Sequence, residues 1–290
     1  MLRDAANLLG LSAGEAMILA QDLFEAGLIT YHRTDSTRVS PLGISIAKSY
    51  IEEHFGKDYY KGRSWSQGRE GAHECIRPTR PLDSDELTDL VASGYLRLPI
   101  KLSRRHISLY SLIFRRFIAS QMEPCIVEKS KVHFSVGDLE GEIEVNTRIL
   151  KEGFTKLIPL RTIEISRDKS RVIEASYRRV SRERLFTQGD IIALMKERGL
   201  GRPSTYAKIV ETLMNRRYIL SVSRRRVLIP LKMGREVFTY LAVNYSPLVS
   251  EERTRELLRT MDMVSQGKVD YREALMNIYR ELNDLKLLRS

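Results

Sequence analysis

The sequence has 290 residues, 42% of them hydrophobic and 29% charged, which is enough apolar material to build cores and excludes a disordered chain. No run of about eighteen apolar residues occurs and the opening Met1-Leu2-Arg3-Asp4 has no apolar signal core, so a soluble, cytoplasmic protein without a membrane partner is expected. Cys75 and Cys125 lie far apart and outside any Cys-x-x-Cys pair, which excludes a disulfide framework and a zinc site, while the net charge of +11 points to a polyphosphate partner.

Residues 2–26 read as two helices. Leu2, Ala5, Ala6 and Leu9 share one face, Gly10 interrupts, and Ser12 with Glu15 forms the reciprocal start signal of a second helix. That helix carries Ala16, Leu19, Ala20 and Leu23 and ends at Gly27, after which Leu28-Ile29-Thr30-Tyr31 reads as a short strand. Helix, turn, helix and strand together outline a helix-turn-helix or winged-helix unit.

Pro41 to Phe55 reads as a helix and 56–71 as a polar loop. A long helix is predicted over about Ser103 to Met122, where Ile107, Tyr110, Ser111, Phe114, Phe117 and Ile118 recur at three- and four-residue steps before Pro124. From Ile126 to Arg184 the pattern alternates, as in Val132-His133-Phe134-Ser135-Val136, and predicts half-buried strands. Thr187 and Ser204 open two further helices. Tyr218-Ile219-Leu220 and Val227-Leu228-Ile229 then bracket Arg224-Arg225-Arg226 as a hairpin with a basic tip, repeating the N-terminal outline. Two amphipathic helices, near Glu251 to Val264 and Tyr271 to Leu287, finish the chain.

The fold class expected is α+β, with mainly helical, winged-helix-like domains joined by a β-rich arm. The boundaries are 1–120, 121–186 and 187–290. The composition also agrees with a thermophilic source.

The stretch Tyr31-His32-Arg33-Thr34-Asp35-Ser36-Thr37 carries chemistry. Alternation along an extended backbone puts Tyr31, Arg33 and Asp35 on one side. A phenolate attacks phosphorus, but a phenol ionises near pH 10 and needs nearby positive charge to react at neutral pH. Arg33 supplies that charge, and its planar fork matches two phosphate oxygens. Taken alone, such a Tyr-x-Arg equally suits a tyrosine that packs at a strand end.

Gly199-Leu200-Gly201-Arg202-Pro203-Ser204-Thr205-Tyr206 allows close backbone approach and places amides at a helix N-terminus suited to phosphate, with Arg202 able to reach a strand backbone. Read alone, it equally suits a plain helix connection. Arg178, Arg179, Arg182 and Arg184 form a strip that is either solvated or DNA-facing.

Residues 27–37 resemble the active-site tyrosine motif of type IA DNA topoisomerases. Three further stretches follow in that family's order: Ala72-His73-Glu74-Cys75-Ile76-Arg77-Pro78-Thr79, Arg116-Phe117-Ile118-Ala119-Ser120-Gln121-Met122, and the glycine-rich run from Gly199 to Tyr206. His32 between Tyr31 and Arg33, Arg38-Val39-Ser40, and the pattern from Met261-Asp262 to Tyr271 look most like the topoisomerase half of reverse gyrase. His73-x-x-x-Arg77 differs from the His-x-x-Arg of tyrosine recombinases, which weighs against that alternative.

The resemblance implies that Tyr31 forms a 5′-phosphotyrosyl link to one DNA strand, that Arg33 positions the scissile phosphate, and that His73 lies near the bound nucleotide. It assigns DNA contacts to Asp35, Arg77, Arg116, Arg202, Ser204, Thr205 and Tyr206. The partners implied are DNA, preferably single-stranded, and a Toprim-bearing polypeptide, with a helicase in the reverse gyrase form. Magnesium is the implied cofactor, held by a Toprim Asp-x-Asp cluster that no segment here resembles; no Walker A sequence occurs either. An excised fragment or a split subunit is therefore expected. The rival reading is a catalytically silent single-stranded DNA-binding module.

Overall fold

Capping residues and helical apolar spacing set most of the elements in the computed structural model, which describes residues 1–65, 73–136, 139–165, 184–222 and 227–284. The chain divides into two units, Met1–Arg184 and Leu185–Ser290.

In the first unit, α1 (Leu2–Asp4) runs into a wider π-type turn, Ala5–Leu9, and stops at Gly10 with φ of 69°. Next comes α2 (Ala13–Glu25), whose Glu15 amide donates to Ser12 Oγ at 3.2 Å. The reciprocal half of that predicted cap is replaced, because the Glu15 carboxylate pairs instead with Arg105. Helix α3 (Pro41–His54) starts with Pro41 in its first turn behind Ser40, whose Oγ accepts from the Gly43 amide. Helix α4 (Ser84–Ala92), absent from the predicted elements, is capped reciprocally by Asp83 and Glu86.

The long predicted helix is α5 (Arg104–Gln121), capped by Ser103 with His106 as the partner three residues on. His106 Nε2 also lies 3.0 Å from Asp22 Oδ2 and so joins α5 to α2. The stripe Leu109, Tyr110, Ile113, Phe114, Phe117 and Ile118 is buried against Leu19 and Leu23 of α2, Ala47 and Ile51 of α3, and Leu87 of α4. Full burial of each large side chain contributes about 1.5–3 kcal/mol, so this stripe anchors the unit.

Strands β1 (Ile126–Val136) and β2 (Leu139–Lys151) form an antiparallel hairpin with Val132 opposite Ile143. Its exposed side carries Lys129–Glu144 and Lys131–Glu142 pairs at 2.6 and 2.7 Å. The predicted alternation thus forms a two-stranded ladder through residue 151.

The second unit opens with α6 (Gln188–Glu197), capped by Thr187 and Asp190, and α7 (Tyr206–Asn215). Gly199 and Gly201, with φ of 68° and 81°, make the turn between them in a backbone region other residues avoid. Strands β3 (Ile219–Val222) and β4 (Val227–Pro230) pair with Val222 opposite Val227, completing the predicted helix-turn-helix and hairpin outline. Helices α8 (Lys232–Asn244), α9 (Ser246–Val249), α10 (Glu251–Ser265) and α11 (Tyr271–Asp284) follow. The basic tip Arg224-Arg225-Arg226 and the strip residues Arg178, Arg179 and Arg182 lie outside the described residues.

The class is α+β. Among the described residues, no helix is long and apolar enough to cross a membrane.

Candidate active site

The predicted strand Leu28–Tyr31 is a single antiparallel bridge, Ile29 opposite Pro78. Pro78 has no N–H to extend the pairing, so the neighbouring residues complete it. The Thr30 amide donates to Arg77 O at 2.9 Å and the Thr79 amide to Leu28 O at 3.1 Å. Thr30 Oγ1 accepts from the Arg77 amide at 3.0 Å and donates to Cys75 O at 2.8 Å. Thr79 Oγ1 donates to Gly27 O at 2.6 Å. Two sequence-distant stretches are thereby fixed side by side, one leading into Tyr31 and the other leaving His73.

Beyond the bridge, the chain alternates as an extended segment must: Tyr31, Arg33 and Asp35 are exposed and His32 is buried. The Tyr31 ring is 41% exposed and meets Phe24 of α2 edge-on at a centroid separation of 5.4 Å. On another side the His73 ring lies at 6.1 Å with an interplanar angle of 33°. Arg33 Nη2 donates to Gln21 Oε1 at 3.3 Å, and Gln21 in turn donates to Glu25 at 2.6 Å. Tyr31 thus packs on Phe24 and beside His73, Arg33 reaches Gln21 on the same helix, and Tyr31, Arg33 and His73 are all exposed.

His32 sits behind them at 2% exposure, its ring 5.7 Å from Tyr31 and 6.1 Å from Phe24. Neither ring nitrogen has a hydrogen-bond partner. Burial first, and the charge of Arg33 second, push its pKa below the usual histidine value, with Glu25 opposing, so the ring is held neutral. Phe24 and Gln21 of α2 also contact Tyr31 and Arg33, and nothing in the helical spacing of α2 marks them out.

The assigned DNA contacts fare differently. Arg77 is 3% exposed, and its guanidinium faces Glu74 through two bonds of 3.0 and 2.8 Å, Pro78 O at 2.9 Å and Ser40 Oγ at 3.3 Å. It therefore does not present an exposed phosphate contact, because a buried guanidinium is satisfied by the fold around it. Partial burial favours a neutral Glu74, but hydrogen bonds from Arg77 and Ser40 outweigh it and hold the carboxyl below the usual carboxylate range. Tyr206 is buried too, with its ring under Gly201, and so is not an exposed stacking platform for a base.

Arg202 Nη2 donates to Asp262 Oδ2 at 2.7 Å and to Leu258 O at 3.2 Å, both on α10. Thr205 Oγ1 closes the turn on the Arg202 amide at 2.9 Å, while Ser204 is exposed. Arg116 pairs with Asp4 at 3.0 Å on the rim of a cavity of about 480 Å³ that Leu8, Leu9 and Leu112 also line.

A family model described as DNA topoisomerase matches residues 1–276, which sets this chain in the class of DNA topoisomerases. The chain belongs to the type IA family of that class. It is 48% identical to the reverse gyrase of Pyrococcus furiosus over 286 residues, covering 97% of this chain and 23% of that protein. It is 44% identical to reverse gyrase 1 of Aquifex aeolicus, covering 99% of this chain and 25% of that protein. The solved full-length topoisomerase I of Thermotoga maritima superposes with a TM-score of 0.78 at 30% identity, covering 98% of this chain and 48% of that one. The chain thus spans about a quarter of the curated relatives and about half of the solved relative.

Type IA enzymes commonly use magnesium, which takes clustered oxygen ligands. Among the described residues no group of three or more His, Cys, Asp or Glu converges, and Glu74 is already engaged by Arg77 and Ser40. The described residues do not fit a magnesium site.

Proposed function

We propose that this chain supplies the nucleophile and phosphate clamp for cleavage and religation of one DNA strand, as part of a reverse gyrase-like type IA topoisomerase. The observation that carries the reading is the exposed Tyr31 with the His73 ring beside it and Arg33 exposed two residues further on.

In this reading Tyr31 Oη attacks phosphorus, a P–O bond to tyrosine forms, and the bond from phosphorus to the 3′-oxygen breaks. Arg33 leaves Gln21 and holds two non-bridging phosphate oxygens as charge grows on them. His73, whose ring lies beside the phenol, contacts the same nucleotide. The phenol proton passes to solvent as the bond forms, and the departing 3′-oxygen takes up a proton from a donor outside this chain. Reversal reseals the strand without net consumption of a bond.

The proton donor for the 3′-oxygen and the magnesium ligands would come from a Toprim-bearing region or polypeptide, as the family resemblance implies. ATP-driven supercoiling would need a helicase as well. The same reading keeps a tyrosine module (1–120), a β-rich arm (121–186) and a C-terminal single-strand-binding module (187–290). Its support is that the long ladder of the first unit begins at Ile126 and that the second unit begins at Leu185.

The test is incubation with end-labelled single-stranded DNA, with and without a Toprim-bearing polypeptide and magnesium, followed by denaturing electrophoresis. A covalent adduct with the partner present is expected. Binding without any adduct would favour a catalytically silent single-stranded DNA-binding module.

A further inference from the structure

Arg77, buried at 3% exposure, links the two stretches of chain that carry Tyr31 and His73. Its backbone exchanges hydrogen bonds with Thr30, the residue before Tyr31, at 2.9 and 3.0 Å. Its side chain grips Glu74, the residue after His73, through a two-bond fork at 3.0 and 2.8 Å. The remaining arm donates to Pro78 O at 2.9 Å, and the fork is braced by Ser40 Oγ at 3.3 Å at the N-terminus of α3.

The space for this guanidinium is built into α3. A Cβ on Gly43 would stand 2.7 Å from Arg77 Nε and 2.9 Å from Arg77 Cδ, so a larger residue would push the arginine out. Glu74 also accepts from the Ser40 amide at 3.4 Å, which places its carboxylate at the positive end of α3.

We propose that Arg77 is a positioning residue: it sets the His73 ring against the Tyr31 ring by tying the residue after one to the residue before the other. This rests on the reading of Tyr31 as nucleophile only for its consequence on cleavage. A bidentate, buried arginine suits the task because its planar fork fixes direction as well as distance. Lysine in its place keeps the charge against Glu74 and loses the fork, so the loop carrying His73 is free to shift. Misplacement of about 1 Å at a reacting centre costs roughly a hundredfold in rate.

The experiment uses Arg77→Lys and, as the milder change, Glu74→Gln, each checked for a folded circular dichroism spectrum. In the chain alone, nuclear Overhauser contacts between the Tyr31 and His73 ring protons are measured. With a Toprim-bearing polypeptide and magnesium, the adduct-forming rate and single-strand affinity are measured, also in a His73→Ala background.

The expected result is loss of the Tyr31–His73 ring contact, affinity within about twofold, and cleavage slowed about tenfold to a hundredfold. In His73→Ala the same Arg77→Lys change should slow cleavage little further, because both act through one ring. A retained ring contact in a folded variant, a full multiplicative loss in the His73→Ala background, or weakened DNA binding with a smaller salt slope would each overturn the proposal. If Arg77→Lys does not fold, Glu74→Gln decides by the same readings. Absence of an adduct from the unaltered chain and its partner would count against Tyr31 as nucleophile, while the ring contact would still decide the role of Arg77.

Discussion

Tyr31 and His73 come from separate stretches of the chain, yet their ring centroids lie 6.1 Å apart, with the planes tilted by 33°. Neither residue is held to the other directly. The pairing of Thr30 with Arg77 and of Thr79 with Leu28 brings them together, so the phenol gains a neighbour through backbone hydrogen bonds on its buried side. Both residues stay exposed.

Tyr31→Phe should abolish the covalent adduct while single-strand affinity stays within about twofold, under about 0.5 kcal/mol. Only the hydroxyl is removed, and the edge-on contact with Phe24 is kept. Denaturing gels and fluorescence anisotropy read the two quantities. An adduct that persists in the variant would sink the assignment of the nucleophile.

Arg33→Lys should slow adduct formation roughly a hundredfold, the scale seen when one donor to a developing oxyanion is lost. The ammonium keeps the charge but not the two-oxygen fork. The bond to Gln21 is exposed, so folding stability should hardly change. A rate equal to the unaltered chain would show that Arg33 acts as a diffuse charge alone.

His32→Phe should stabilise the first unit by about 1–2 kcal/mol, because it removes buried polar atoms that have no partner while keeping a flat ring. The pH dependence has a definite sign. The folded-state pKa of His32 is lowered, so the unfolded chain binds more protons just below the ordinary value of about 6.5. This contribution to stability is full above that pH and is lost as pH falls toward the lowered folded value. Urea melts from pH 7.5 down to 5 should show a decline in the unaltered chain that His32→Phe reduces. An identical decline in both would rule His32 out as its source.

Asp262→Asn should tighten single-strand binding about twofold to fivefold, since an exposed carboxylate that holds Arg202 competes with phosphate by about 0.4–1 kcal/mol. Arg202→Ala should cancel the gain and flatten the salt dependence, because one fewer counterion is released. Titrations at several salt concentrations provide the check. No change in either variant would place Arg202 outside the DNA-binding surface.

The amino-acid sequence by itself determined the elements whose signals are local. Ser12, Ser40, Ser103 and Thr187 cap the helices they precede, and the apolar stripe from Ile107 to Ile118 forms α5 because neighbours three and four apart meet on one helix face. The alternation that exposes Tyr31 and Arg33 and buries His32 is likewise a property of an extended backbone. Helices α4, α8 and α9 are not among the elements the sequence predicts, although Asp83 and Glu86 form a local capping signal for α4.

The tertiary structure decided which charged and aromatic side chains face solvent. Arg77 and Tyr206 stand inside motifs that otherwise look DNA-facing, and only packing against Glu74, Ser40 and Gly43, or beneath Gly201, shows that they are buried. Glu15 meets both requirements of a reciprocal cap, yet Arg105 takes its carboxylate. The reason is common to the two charged residues, Arg77 and Glu15. A cap or a periodic stripe depends on residues a few positions away, whereas the partner of a long charged side chain is whichever group the folded chain brings to it, and sequence distance does not report that.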